Sequence, residues 1–95
     1  MCSAIALVGD MGTDHNGFPP TPITGGSPNV LLDHKPVARQ GDPLQSHSKP
    51  KHGTHGRQIA AGCSSVLVNG QPVAITGGAV SCGGVIIGSG SAKVG

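Results

Sequence analysis

The apolar residues of this chain fall in short runs, and no segment repeats them with the 3.6-residue period of an amphipathic helix. Val66-Leu67-Val68 is one such run, followed by Asn69-Gly70, the pair best suited to a two-residue hairpin turn. Gln71-Pro72-Val73-Ala74-Ile75 then reads as the returning strand. The pattern occurs earlier as Val30-Leu31-Leu32, Asp33-His34 and Lys35-Pro36-Val37-Ala38. In that copy His34 takes the turn position of Gly70. Histidine is enriched among non-glycine residues at positive φ, so His34 reads as an exposed turn residue. Pro36 and Pro72 stand at the beginning of returning strands, where a sheet tolerates proline.

These hairpins belong to a longer repeat. Residues 26–36 align without gaps with residues 62–72, and residues 88–95 form a shortened third copy. Three further segments match one another: Ile5-Ala6-Leu7-Val8-Gly9-Asp10, Val37-Ala38-Arg39-Gln40-Gly41-Asp42 and Val73-Ala74-Ile75-Thr76-Gly77-Gly78. The pattern predicts an all-β domain, one hairpin unit used about three times and entered and left in mid-repeat. The 17 glycines and 8 prolines would also suit a disordered chain. Low-complexity segments, however, do not keep hairpins in register with matched turn residues.

Composition adds a problem of stability. The 95 residues include one Phe and neither Trp nor Tyr, so the core must be built of Val, Ile, Leu and Ala. A domain of this size buries a modest share of its surface, and small cores are commonly reinforced by disulfides, a metal or a partner. Cys2, Cys63 and Cys82 make an odd set with no framework spacing. The N-terminal stretch lacks a signal-peptide pattern, and no run approaches the roughly 18 apolar residues of a membrane-spanning helix. Synthesis in the cytoplasm with reduced thiols is therefore expected, which favours a metal over disulfides. A formal charge of +2, without aromatic platforms for bases, argues against nucleic acid as a partner.

The loops after the three matched segments carry the candidate ligands. His15 follows Asp10 by five residues, His47 follows Asp42 by five, and Cys82 follows Gly78 by four. Counted from the other side, His55 stands four residues before Ile59, and Cys82 four before Ile86. Three quasi-symmetric repeats would bring His15, His47, His55 and Cys82 to one end of the molecule. Three imidazoles and a thiolate form a closed tetrahedral zinc set, hence a structural site. His52, in the same loop, is the rival of His55. A catalytic zinc would keep an open position and a carboxylate nearby, and Asp14 is the one acid suited to that role. A small zinc-dependent enzyme or a metal carrier is thus the competing reading. Cys63 occupies the position of Ser27 and reads as a packing residue, while Cys2 reads as incidental.

Pro36-Val37-Ala38-Arg39 with Gly41-Asp42 resembles the proline-alanine-alanine-arginine motif of PAAR-repeat proteins. The phrases Gly26-Ser27-Pro28-Asn29-Val30, Val66-Leu67-Val68-Asn69-Gly70 and Ser81-Cys82-Gly83-Gly84 resemble that family as well. The third copy departs from the motif, with Ile75 at the arginine position and Gly77-Gly78 at the end. Arg39 therefore has no role that every repeat requires. The resemblance implies a small cone of short β-hairpins with zinc near its apex. It implies a structural job and no catalysis: the broad base caps the trimeric VgrG spike of a type VI secretion system, or a phage-tail counterpart, and sharpens it for membrane puncture. One cone per VgrG trimer is expected, meeting the spike through Val30, Leu31, Leu32, Val66, Leu67 and Val68. The chain is expected to be a single domain over residues 1–95 with no fused effector domain and no membrane anchor. Effectors or adaptors would then ride on other components, and the tip itself would leave the cytoplasm through the secretion machine.

Overall fold

A computed structural model describes residues 3–14, 18–49, 53–81 and 83–94, with side chains at all of these except 47–49 and 53–55. Every regular element among them is a strand. In chain order these are β1 (Ser3–Ala4), β2 (Met11–Gly12), β3 (Thr21–Pro22), β4 (Leu31–Leu32), β5 (Lys35–Pro36), β6 (Pro43–Lys49), β7 (Gly53–Gln58), β8 (Cys63–Val68), β9 (Gln71–Val73), β10 (Ile86–Ile87) and β11 (Lys93–Val94).

The expected hairpins form. β4 pairs with β5 through Leu31↔Pro36 and Leu32↔Lys35, and β8 with β9 through Leu67↔Pro72 and Val68↔Gln71. Both turns hold two residues at positive φ: Asp33 at 55° and His34 at 66°, Asn69 at 51° and Gly70 at 82°. This is the turn whose twist matches the twist of the flanking strands. The third hairpin is built differently. Its strands are β11 and β1, from opposite ends of the described chain, paired as Lys93↔Ala4 and Val94↔Ser3. The register equals that of the other two, so Lys93 stands where the others carry Leu31 and Leu67.

The three copies close on one another around a common axis. The Ala38 N–H donates to the Ala6 carbonyl, the Ala74 N–H to the Ala38 carbonyl, and the Ala6 N–H to the Ala74 carbonyl, each at 2.9 Å. These bonds make a ring. Bridges Leu7↔Val37, Arg39↔Val73 and Ile75↔Ile5 repeat around the same circuit. The three alanines are fully buried, because at the axis each side chain meets its two counterparts. Beyond the ring each copy makes a tight turn in which Gly9, Gly41 or Gly77 has φ between 89° and 99°. In each, the N–H of the fourth residue donates to the carbonyl of the first at 3.0 Å. This is the turn type that calls for glycine at its third position. The chain comes back from its loop at Ile23, Ile59 and Ile86, whose carbonyls accept from Gly9, Gly41 and Gly77. All three isoleucines are buried.

Two apolar clusters lie on the two sides of this arrangement. One joins the axial alanines to Ile23, Leu44, Ile59, Val80 and Ile86 on the loop side. The other joins Ile5, Leu7, Val37, Val68 and Val73, with Leu32, Val66 and Val94 packed against it, on the hairpin side. The molecule is elongated, with extents of 39 × 27 × 21 Å.

Carboxylates finish the turns. Asp42 accepts the Arg39 N–H at 2.8 Å and takes the Arg39 guanidinium in a two-pronged pair at 3.0 Å. That pair raises the Arg39 pKa further. Arg39, the arginine of the motif, thus braces its own turn. In the first copy Leu7 replaces it. Asp10 still accepts the Leu7 N–H, but Ser89 supplies the remaining donors from its N–H and hydroxyl. Ser91 serves Asp33 in the same way, at 2.8 Å through each donor. The last segment of the described chain is therefore tied down by two serine–aspartate pairs. The Ser91 hydroxyl, then its N–H, holds the Asp33 carboxyl below its ordinary value of 3.8. A depressed folded pKa stabilises the protein above the unfolded value, and the effect disappears as pH falls through the folded pKa. Replacing Ser91 with Ala should move the Asp33 carboxyl upward in an NMR titration, since it removes the hydroxyl donor and leaves only the main-chain N–H. An Asp33 titration curve that Ser91→Ala leaves in place would contradict this.

Candidate metal centre

The four expected ligands, His15, His47, His55 and Cys82, lie outside the described residues in whole or in side chain, as does their rival His52. Among the described residues no cluster of three His, Cys, Asp or Glu side chains is suited to a metal ion. What is described is the backbone that carries the ligands. His47 and His55 are Cα partners across the β6–β7 pair.

The Cys82 segment is held on both sides. On one side the Ser81 N–H donates to the Gln58 carbonyl at 2.8 Å, and the Ser81 hydroxyl accepts from the Gln58 N–H. On the other, Thr13 and Val85 exchange bonds: the Thr13 N–H donates to the Val85 carbonyl at 2.8 Å, and the Val85 N–H to the Thr13 hydroxyl at 2.9 Å. Gln58 is three residues beyond His55, and Thr13 two before His15. Residues near three expected ligands are thus joined by hydrogen bonds, and the fourth, His47, is the Cα partner of His55. The donor chemistry of the four expected residues, three imidazoles and a thiolate, suits zinc.

Sequence reasoning overlooked Arg57. Its side chain is 2% exposed. One guanidinium nitrogen donates to the Gly12 carbonyl at 3.2 Å and the Thr21 hydroxyl at 2.9 Å. The other donates to the Thr13 carbonyl at 2.6 Å and the Gly83 carbonyl at 3.2 Å. The repeat held a signal for it. Counted back from Ile23, Ile59 and Ile86, the equivalent positions are Thr21, Arg57 and Gly84. One long cation lies against the two small residues at the equivalent positions. A Cβ on Gly84 would come within 3.2 Å of the guanidinium and 2.7 Å of the Thr13 carbonyl, and one on Gly12 would strike Leu44.

The expected partner-contact residues divide. Leu31 and Leu67 are each 60% exposed, and Val30 is also exposed. Leu32 and Val66 are half-buried against the hairpin-side cluster. Val68 points inward and is a core residue, because alternation along β8 turns it away from the face that Leu67 occupies. Met11, Val85 and Ile87 form another exposed apolar group, with Met11 and Ile87 paired across β2 and β10. Cys63 is half-buried, and its thiol lies 2.8 Å from the Ser65 hydroxyl, a contact that lowers the thiol pKa.

The family description that matches this sequence is the PAAR motif, over residues 8–88. No curated protein matches the chain.

Proposed function

Because the chain belongs to the PAAR-motif family, a family of structural spike-tip proteins, we propose that it is the zinc-bound tip that caps the VgrG trimer of a type VI secretion spike. The observation that carries this reading is the ring of Ala6, Ala38 and Ala74. One chain folded about a quasi-three-fold axis offers three similar faces to a three-fold partner. The hairpin side supplies exposed apolar positions in Val30, Leu31 and Leu67. Lys93 fills the third equivalent position, so one of the three faces differs in charge. His15, His47, His55 and Cys82 would hold the zinc. Bound there, the ion would serve as a closed structural cross-link between the three loops.

Mixing the purified protein with a VgrG trimer from the same genome and measuring the mass of the complex tests this. One chain per trimer is expected. Leu31→Asp combined with Leu67→Asp should abolish the complex, since docking would bury uncompensated carboxylates. The variant should still hold zinc, because both side chains lie outside the cores. Ile87→Asp should bind normally. Loss of binding with Ile87→Asp alone would move the contact to the loop side. Three chains per trimer, or no complex, would overturn the proposal.

A further inference from the structure

We propose that Arg57 is the positioning residue of the metal centre: its guanidinium ties together the segments that carry the expected ligands. This rests on the zinc reading above. Four acceptors among the described residues belong to three separate stretches of chain. Gly12 and Thr13 lead toward His15, Thr21 follows the same loop, and Gly83 adjoins Cys82. Arg57 itself stands two residues after His55 in β7. A buried polar group left unsatisfied is costly. A guanidinium is the one side chain that can serve several acceptors at once in a fixed plane. Lysine carries three donors on a single nitrogen and cannot span the same set.

The surroundings are shaped for this group. Its repeat-equivalents are Thr21, which accepts from it, and Gly84, where a Cβ would crowd it. Gly12, which also accepts from it, leaves room at its own Cβ position for the guanidinium and Leu44. The quasi-symmetry is broken at one layer so that one cation can occupy the space of three side chains. That layer lies directly beneath the loops from which the ligands come.

The test compares wild type, Arg57→Lys and Thr21→Val, with Val73→Ala as a control that disturbs the hairpin-side cluster. Zinc affinity is measured by competition with a chromophoric chelator, and ligand geometry by the absorption spectrum of the cobalt(II)-substituted protein. Arg57→Lys should weaken zinc binding about 10–100-fold, the range for groups that orient metal ligands, and should alter the cobalt spectrum. Thr21→Val removes one acceptor and should shift both readouts less, in the same direction. Val73→Ala should lower the melting temperature and leave the cobalt spectrum unchanged. If Arg57→Lys does not fold with zinc present, Thr21→Val decides alone. A wild-type cobalt spectrum in the arginine variant, or in Thr21→Val in that event, would overturn the role of Arg57 and leave the metal centre standing. A wild type that binds neither metal would overturn the metal centre and this role with it.

Discussion

Stripping zinc from the protein with a strong chelator should unfold it. Structural zinc in small domains contributes roughly 10–16 kcal/mol. The whole stability of a domain is typically about 5–15 kcal/mol. Anything that binds the folded state alone adds to its stability, so removing such a contribution leaves little to hold the native state. The apolar clusters described above are built from Val, Ile, Leu and Ala, and offer little compensation. Protein purified without added metal should contain about one zinc per chain. Cys82→Ser should lose both the metal and the cooperative thermal transition, whereas Cys63→Ser should stay close to wild type because its thiol is half-buried beside Ser65. Elemental analysis and thermal denaturation followed by circular dichroism are sufficient. Equal melting temperatures for the two cysteine variants, or less than about half an equivalent of metal, would remove zinc from the account.

The second large effect is expected at the axis. Ala38→Leu or Ala74→Leu should lower the melting temperature sharply even with zinc bound. Each alanine is completely buried among the other two and joined to them by the ring of main-chain bonds. A larger side chain has no outward direction in which to relax. Forcing extra methylenes into a packed core costs about 1–3 kcal/mol, occasionally more. In a domain of this size each kcal/mol shifts the midpoint by about 4–8 °C. The substitution should also open the ring, exposing the Ala6, Ala38 and Ala74 amides to hydrogen exchange. Ala38→Gly should be milder, about 1 kcal/mol, since it removes a methyl and adds backbone freedom without a clash. Wild-type melting for Ala38→Leu would mean that the axis is looser than the ring implies.

The arginine of the sequence motif and the arginine of the loop layer have different work, and only one was prominent in the sequence. Arg39 pairs with Asp42 three residues on and braces a surface turn, and the first copy does the same with Ser89. Its replacement by Leu7 and Ile75 in the other copies is therefore tolerable. Arg57 lies outside the motif and reaches three distant segments. A repeat read by similarity favours what recurs, and a residue that breaks the symmetry once is passed over.

The sequence by itself determined the local structure. The turn residues Asp33-His34 and Asn69-Gly70 take the positive φ values that their types suggested, and Asp10 and Asp42 close turns beside Gly9 and Gly41. These features depend on neighbours a few residues apart, so their chemistry is written in short stretches. The repeat also announced three copies and the loops that carry the expected ligands. Tertiary structure alone decided how the copies close: which alanine carbonyl accepts from which N–H, that β11 and β1 complete the third hairpin, and that Val68 enters the core while Leu67 stays outside. It also decided that Arg57 gathers Gly12, Thr13, Thr21 and Gly83. Each of these outcomes joins residues far apart in the chain, and no local preference specifies such a pairing. It follows from packing three unequal copies around one axis, where main-chain bonds and buried side chains join one copy to the next.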